Sequence, residues 1–92
     1  MEIDFDPNKN ARNIAERGLS FERAAEFDFS SAVTRQDSRK PYPEMRLVTM
    51  GFLGERLHVL CFTPIAEGIR VISFRKANAK ERKDYENNTP HD

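Results

Sequence analysis

The segment "RVISFRKANAKERKDYE" (70–86) crowds Arg70, Arg75, Lys76, Arg82 and Lys83 together with Tyr85, where an alternating run gives way to helix formers. Arginine and lysine clusters of this kind hold phosphate oxygens and stabilise negative charge that develops on a reacting phosphate. Arg46, just after "PYPE", adds a further cation. Taken singly, each reads more simply as a solvated charge at a sheet edge. On the last helix Glu81 and Arg82 sit four and three residues before Tyr85, so all can share one side. Tyr85 suits packing that helix onto a sheet as well as it suits chemistry, and exposed charge pairs there contribute little.

Other chemistries have weaker support. His58, inside an apolar run, and His91, near the end, are not spaced with Cys, Asp or Glu in a metal-ligand pattern. His58 reads as a packed or hydrogen-bonded strand residue. Cys61 lies three residues from His58, which a strand turns to the opposite face. No glycine-rich phosphate loop is present, and neither a metal nor a cofactor is expected.

The chain has 92 residues, 33% charged and 38% hydrophobic, which fits one small folded domain with a densely charged surface. That domain is expected over 1–86, with 87–92 as a flexible tail. One cysteine cannot form an internal disulfide. The acidic "MEIDFDPNKN" lacks the regions of a signal peptide, and no apolar run is long enough to span a bilayer, so a cytoplasmic protein with no membrane contact is the default. Net charge is zero, but residues 1–41 carry −1 and residues 42–85 carry +3. That imbalance is weak support for a polyanion partner.

The elements that must position these cations follow from periodicity. "EIDFD" alternates as a short edge strand. Asp6 caps a helix with Pro7 in its first turn and Gly18 as its stop, with Ile14 and Ala11 or Ala15 on the buried side. Ser20 caps a second helix that buries Phe21, Ala24 and Ala25. "SSAVTRQ" (30–36) is a weaker strand signal, and "DSRKPYPE" (37–44) is a loop. Strands over 45–53, 56–64 and 69–76 form an antiparallel meander, with the middle one apolar on both faces and therefore central. Asn78 with Glu81 makes a capping box for a terminal helix.

The resulting fold class is α+β, in the order βααββββα: two N-terminal helices on a small antiparallel sheet, and a short C-terminal helix. Alternation in 69–76 puts Arg75 with Ile69, Val71 and Ser73, and puts Arg70 and Lys76 with Ile72 and Phe74. With strands 45–53 and 69–76 flanking the central one, Arg46 falls near Arg70 and at the opposite end from Arg75. A different strand order would bring Arg46 and Arg75 closer.

Three segments in order, "FDPNKNARNIAERGLSFERAA", "YPEMRLVTMGF" and "RVISFRKANAKERKDYE", strongly resemble the BrnT family of bacterial ribonuclease toxins, from Phe5 to Glu86. The closing segment is the most specific, with Arg70, Ser73, Arg75, Lys76, Ala77, Glu81, Arg82 and Tyr85 in family-typical places. Two positions depart from the pattern: "FDP" stands for the common "WDP", and "ERG" for "KHG", so Arg17 replaces a frequent histidine. The resemblance implies a RelE-like fold with one sheet face partly free for RNA. It also implies metal-independent RNA cleavage that halts translation.

On that reading Arg46 and Arg75 stabilise the phosphate and transition state, and Glu44, Tyr85 or a lysine with lowered pKa transfers protons, with Glu44 and Tyr85 as the candidate base and acid. Lys9, Lys76, Arg82, Arg70 and Arg17 hold the RNA backbone. The implied partner is a BrnA-like antitoxin, through which alone operator DNA is reached, with a homodimer inside the complex as one arrangement. Two rivals stand beside this reading. One is an inactive homologue that binds nucleic acid or antitoxin, and the other is a plain interaction domain whose charges only solubilise it.

Overall fold

A computed structural model describes residues 1–88. The chain runs β1 (Glu2–Phe5), α1 (Pro7–Arg17), a 3-10 helix (Phe21–Glu26), β2 (Val33–Gln36), β3 (Leu47–Leu53), β4 (Arg56–Ile65), β5 (Gly68–Lys76) and α2 (Ala79–Asn88). This is an α+β fold on a five-stranded sheet ordered β1-β5-β4-β3-β2. Strand β4 is central and buried from Leu57 to Thr63, as its two-sided apolar pattern requires.

The sheet is mixed rather than antiparallel. β2 to β5 form the expected antiparallel set, but β1 lies parallel to β5, pairing Ile3 with Ile69 and Phe5 with Val71. Helix α1 supplies the crossover that returns the chain from that edge. A side chain at Gly68 would collide with the backbone of Glu2, so this close pairing needs glycine there.

Asp6 accepts from the Asn8 amide, Pro7 occupies the first turn and Gly18 closes α1 in the left-handed conformation. The buried face differs from expectation. Ala11, Ile14 and Ala15 are exposed, and the buried residue is Asn13. Its amide nitrogen donates to the carbonyls of Leu19 and Phe74, at 2.8 and 3.0 Å. Polar satisfaction across two elements therefore fixes the helix, and the apolar residues were a misleading guide.

The second helical segment is 3-10 rather than α. Three residues per turn put Phe21, Ala24 and Phe27 on the core side and leave Ala25 exposed. These side chains join Leu19, Leu53, Leu60, Phe62, Ile69, Val71 and Phe74 in the larger core, with Ile3 and Phe5 packed against it.

On the other face, α2 sets Tyr85 against Leu57, Val59 and Ala77, backed by Val33, Val48, Met50 and Phe52. The capping box closes as expected, with Asn78 Oδ1 accepting from the Glu81 amide and Glu81 Oε1 from the Asn78 amide. The helix reaches Asn88, into the segment expected to be a tail, while 89–92, including His91, lie outside the described residues. Helix α2 covers only the β2–β4 part of its face. Beyond it lies a small groove lined in part by Cys61, Ser73 and Arg46, with Cys61 itself buried.

Candidate functional site

The grooved part of that face depends on a bulge. Opposite β4, Cys61 pairs with Ser73 and Phe62 with Val71, so Ile72 is an extra residue in β5. The bulge reverses the alternation beyond it. Val71 and Ile69 therefore join Phe74 in the larger core, and Arg70 shares the α2 face with Arg75. The sequence alternation had separated those two arginines and grouped Arg70 with Lys76 and Phe74.

Three rows cross this face: Val33, Met50, Val59 and Arg75; then Arg35, Val48, Cys61 and Ser73; then Thr63 and Arg70, reaching Asp4. A small groove of about 180 Å³ opens over them. Its cationic lining is Arg35, Arg39, Arg46 and Arg75, with Asp37 and Glu81 as the acids. Arg46 and Arg75 thus meet in one groove although they start at different ends of their strands.

Three of these four arginines are held. Arg75 donates from Nη1 and Nη2 to the two carboxylate oxygens of Glu81, at 2.7 and 2.8 Å. That pairing holds the Glu81 carboxyl down to about 2 and raises the Arg75 guanidinium. Arg39 likewise pairs with Asp37, which it holds at about 2. Arg46 stacks on the Tyr42 ring at 4.0 Å, with its Nε 3.6 Å from Glu44. That buried Nε makes no hydrogen bond among the described residues, and neither does the Thr63 hydroxyl. Burial raises the Cys61 thiol, so it is no ready nucleophile.

A larger cleft of about 620 Å³ opens on the opposite face, where the end of α1 overhangs the strand ends. Leu19, Leu53 and Gly18 form apolar wall, and Arg17, Arg23, Arg56 and Lys76 ring it without a carboxylate in the lining. Arg17 is steadied by donating to Asn13 Oδ1 at 2.8 Å, and Arg56 by a 3.4 Å contact to the Ala77 carbonyl. Arg23 pairs with Glu26. His58 also lines the cleft, and so does Arg75.

The sequence-derived candidates therefore divide. Arg46 and Arg75 share the sheet groove, with Glu44 beside Arg46. Arg17 and Lys76 lie in the α1-side cleft. Arg70 lies on the groove face, paired with Asp4 at 2.8 Å. Arg82 and Tyr85 line a third hollow, with Phe52, Glu55, Arg56 and Leu57. Tyr85 is buried there, its hydroxyl donating to the Ser31 carbonyl at 2.8 Å and its ring meeting Phe52 edge-on. Lys9 is exposed on α1.

Sequence reasoning missed Arg35, Arg39, Arg23, Arg56 and His58 as lining residues. Arg56 and His58 stood two apart at the start of a legible strand, but nothing signalled that α1 would end over them. Among the described residues no group of three or more His, Cys, Asp or Glu is placed to hold a metal, and no helix is long and apolar enough to cross a membrane.

No curated protein matches the chain. A family model described as "Ribonuclease toxin, BrnT, of type II toxin-antitoxin system" matches residues 5–81, which spans both cationic hollows. Members are ribonuclease toxins, and a type II system supplies a protein antitoxin as partner. With that match over most of its length, the chain belongs to the BrnT family of ribonuclease toxins.

Proposed function

We propose that the chain cleaves RNA without a metal ion, by holding the RNA backbone across the end of β5 in two cation-lined hollows. The observation that carries this reading is that Arg75 lines both of them. From there Arg46 lies along the sheet groove, while Arg17 and Lys76 lie in the α1-side cleft. Phosphates a nucleotide or two apart can each meet a guanidinium fork, and a reacting phosphate gathers charge that such forks stabilise. The arginines supply the charge stabilisation that a metal would otherwise give. A small groove with an open rim favours single-stranded RNA over a duplex.

The proton-transfer roles expected of Glu44 and Tyr85 have less support in the geometry. Glu44 sits by Arg46 at the loop, and Tyr85 lines a different hollow, its hydroxyl engaged with the Ser31 carbonyl. Arg70, Lys9 and Arg82 flank the path as backbone contacts. The fold fits a RelE-like arrangement, with one sheet face half open. Cleavage in the cytoplasm would stop translation. The partner in this reading is a BrnA-like antitoxin that carries the toxin to operator DNA. The sheet edge at β1 offers it a strand to pair with.

Induced expression in a bacterium tests this, with wild type beside Arg75→Ala at matched protein levels. Arrest of growth by the wild type alone is the expected result. No arrest by either protein would overturn the reading in favour of a partner-binding homologue.

A further inference from the structure

His58 has a specific place in the α1-side cleft. Its register partner on β5 is Lys76, and both side chains face α1. Nδ1 lies 2.8 Å from the Arg56 carbonyl oxygen. A carbonyl can only accept, so Nδ1 carries the proton, and in the neutral ring Nε2 is a bare acceptor. Nε2 has no hydrogen-bond partner among the described residues. The buried unpartnered side-chain atoms there are Arg46 Nε and Thr63 Oγ1, so Nε2 opens to the cleft that His58 lines.

Cations from four elements line the cleft that this ring shares, and Arg23 among them is paired with Glu26. Arg17 comes from α1, Arg23 from the 3-10 helix, Arg56 from its own strand and Lys76 from β5, with the Phe74 ring 5.5 Å away. His58 is buried against Phe74, yet packing alone does not call for an unpaired ring acceptor at the lining of such a cleft. A base for a hydroxyl next to a phosphate needs that combination: a free nitrogen lone pair, fixed in tautomer, beside charges that hold the phosphate.

We propose that His58 is the general base of RNA cleavage, taking the 2′-hydroxyl proton on Nε2 while the cleft cations hold the adjacent phosphate. The inference rests on the ribonuclease reading above and adds a residue to it. The 2′-oxygen, freed of its proton, attacks phosphorus, and the bond from phosphorus to the 5′-oxygen breaks. The 5′-oxygen leaves with the bonding pair and takes a proton from solvent, and the imidazolium returns its own to solvent. The products are a 2′,3′-cyclic phosphate and a 5′-hydroxyl. Burial first, and the charges of Arg56, Lys76 and Arg23, lower the imidazole pKa from 6.5, so the base is neutral and ready at pH 7.

Two measurements test the assignment. In the first, cleavage of an RNA oligonucleotide by the whole protein is followed against pH for wild type and His58→Gln. The expected result is a loss on the order of 10²-fold or more, with the wild-type fall in rate on the acid side absent from the variant. Unchanged rate and unchanged acid limb in a folded His58→Gln protein would overturn the proposal and leave the ribonuclease reading standing. A wild type that cuts no RNA at any pH would remove both.

The second measurement needs no variant. The His58 imidazole is titrated by NMR with and without a 2′-O-methyl RNA oligonucleotide, which binds but has no 2′-proton to give. A bound phosphate beside the ring raises its pKa, and an unmoved titration in a protein that binds the oligonucleotide would overturn the proposal.

Discussion

Glu81 grips both terminal nitrogens of Arg75 with its two carboxylate oxygens, and one of those oxygens also accepts from the Asn78 amide that caps α2. Arg75 lies near the end of β5 and Glu81 in the first turn of α2, so one carboxylate ties the sheet, the helix and the cationic groove together. Paired in this way, Arg75 lines the groove together with Arg46 and Arg35. On the proposed reading, an RNA phosphate would compete with Glu81 for the same guanidinium, and Glu81 would act as a positioning residue rather than a base.

Acid should expose that tie. The Glu81 carboxyl is held near 2 by Arg75, so its contribution to stability is complete above its ordinary value of 4.5 and is lost as pH falls toward about 2. Glu81→Gln should flatten the dependence of stability on pH in that window, measured by urea unfolding at several pH values. An unchanged slope would mean that the pair does not form in solution.

Asn13 is the polar fastener of α1. Asn13→Leu leaves the carbonyls of Leu19 and Phe74 without their donor, and it frees Arg17 from its Oδ1 contact. A loss of about 1–3 kcal/mol is expected in chemical denaturation. A neutral or stabilising result would show that solvent reaches those carbonyls.

Gly51 has no room for a side chain. A Cβ there would stand 2.6 Å from the Phe27 ring, which is itself packed among Phe29 and Phe74. Gly51→Ala should cost roughly 1–3 kcal/mol through overpacking, read as a lowered midpoint in thermal unfolding.

Tyr85 separates anchoring from chemistry. Removing its hydroxyl in Tyr85→Phe should cost about 1 kcal/mol, for the lost bond to the Ser31 carbonyl, and leave cleavage within a few-fold of wild type. A drop in cleavage much larger than the drop in folded protein would return Tyr85 to the role of proton donor.

Much of the fold was legible in the sequence because its signals are local. Asp6, Pro7 and Gly18 bound α1, the two-sided apolar run marked β4 as central, and Asn78 with Glu81 announced α2. What failed was set by tertiary contacts. Asn13 rather than Ile14 faces the core because two carbonyls on other elements await its amide. The 3-10 geometry of 21–26 changes which alanine is buried, and the parallel pairing of β1 has no local signature.

The site was legible as a list of cations and illegible as a place. A single extra residue at Ile72 reverses the faces of β5, and that decides which side Arg70 faces. His58 read as strand filler because the overhanging turn at Gly18, which makes its neighbourhood a cleft, lies forty residues away in the chain.

The most direct test is cleavage of single-stranded RNA by the purified, folded protein in excess EDTA, with Arg75→Ala beside it and product ends identified by mass spectrometry. The account predicts that the wild type cuts, leaving 2′,3′-cyclic phosphate and 5′-hydroxyl ends, and that Arg75→Ala loses on the order of 10²-fold or more in rate. Full activity in Arg75→Ala, or cleavage that stops on chelation and returns with a divalent cation, would contradict it.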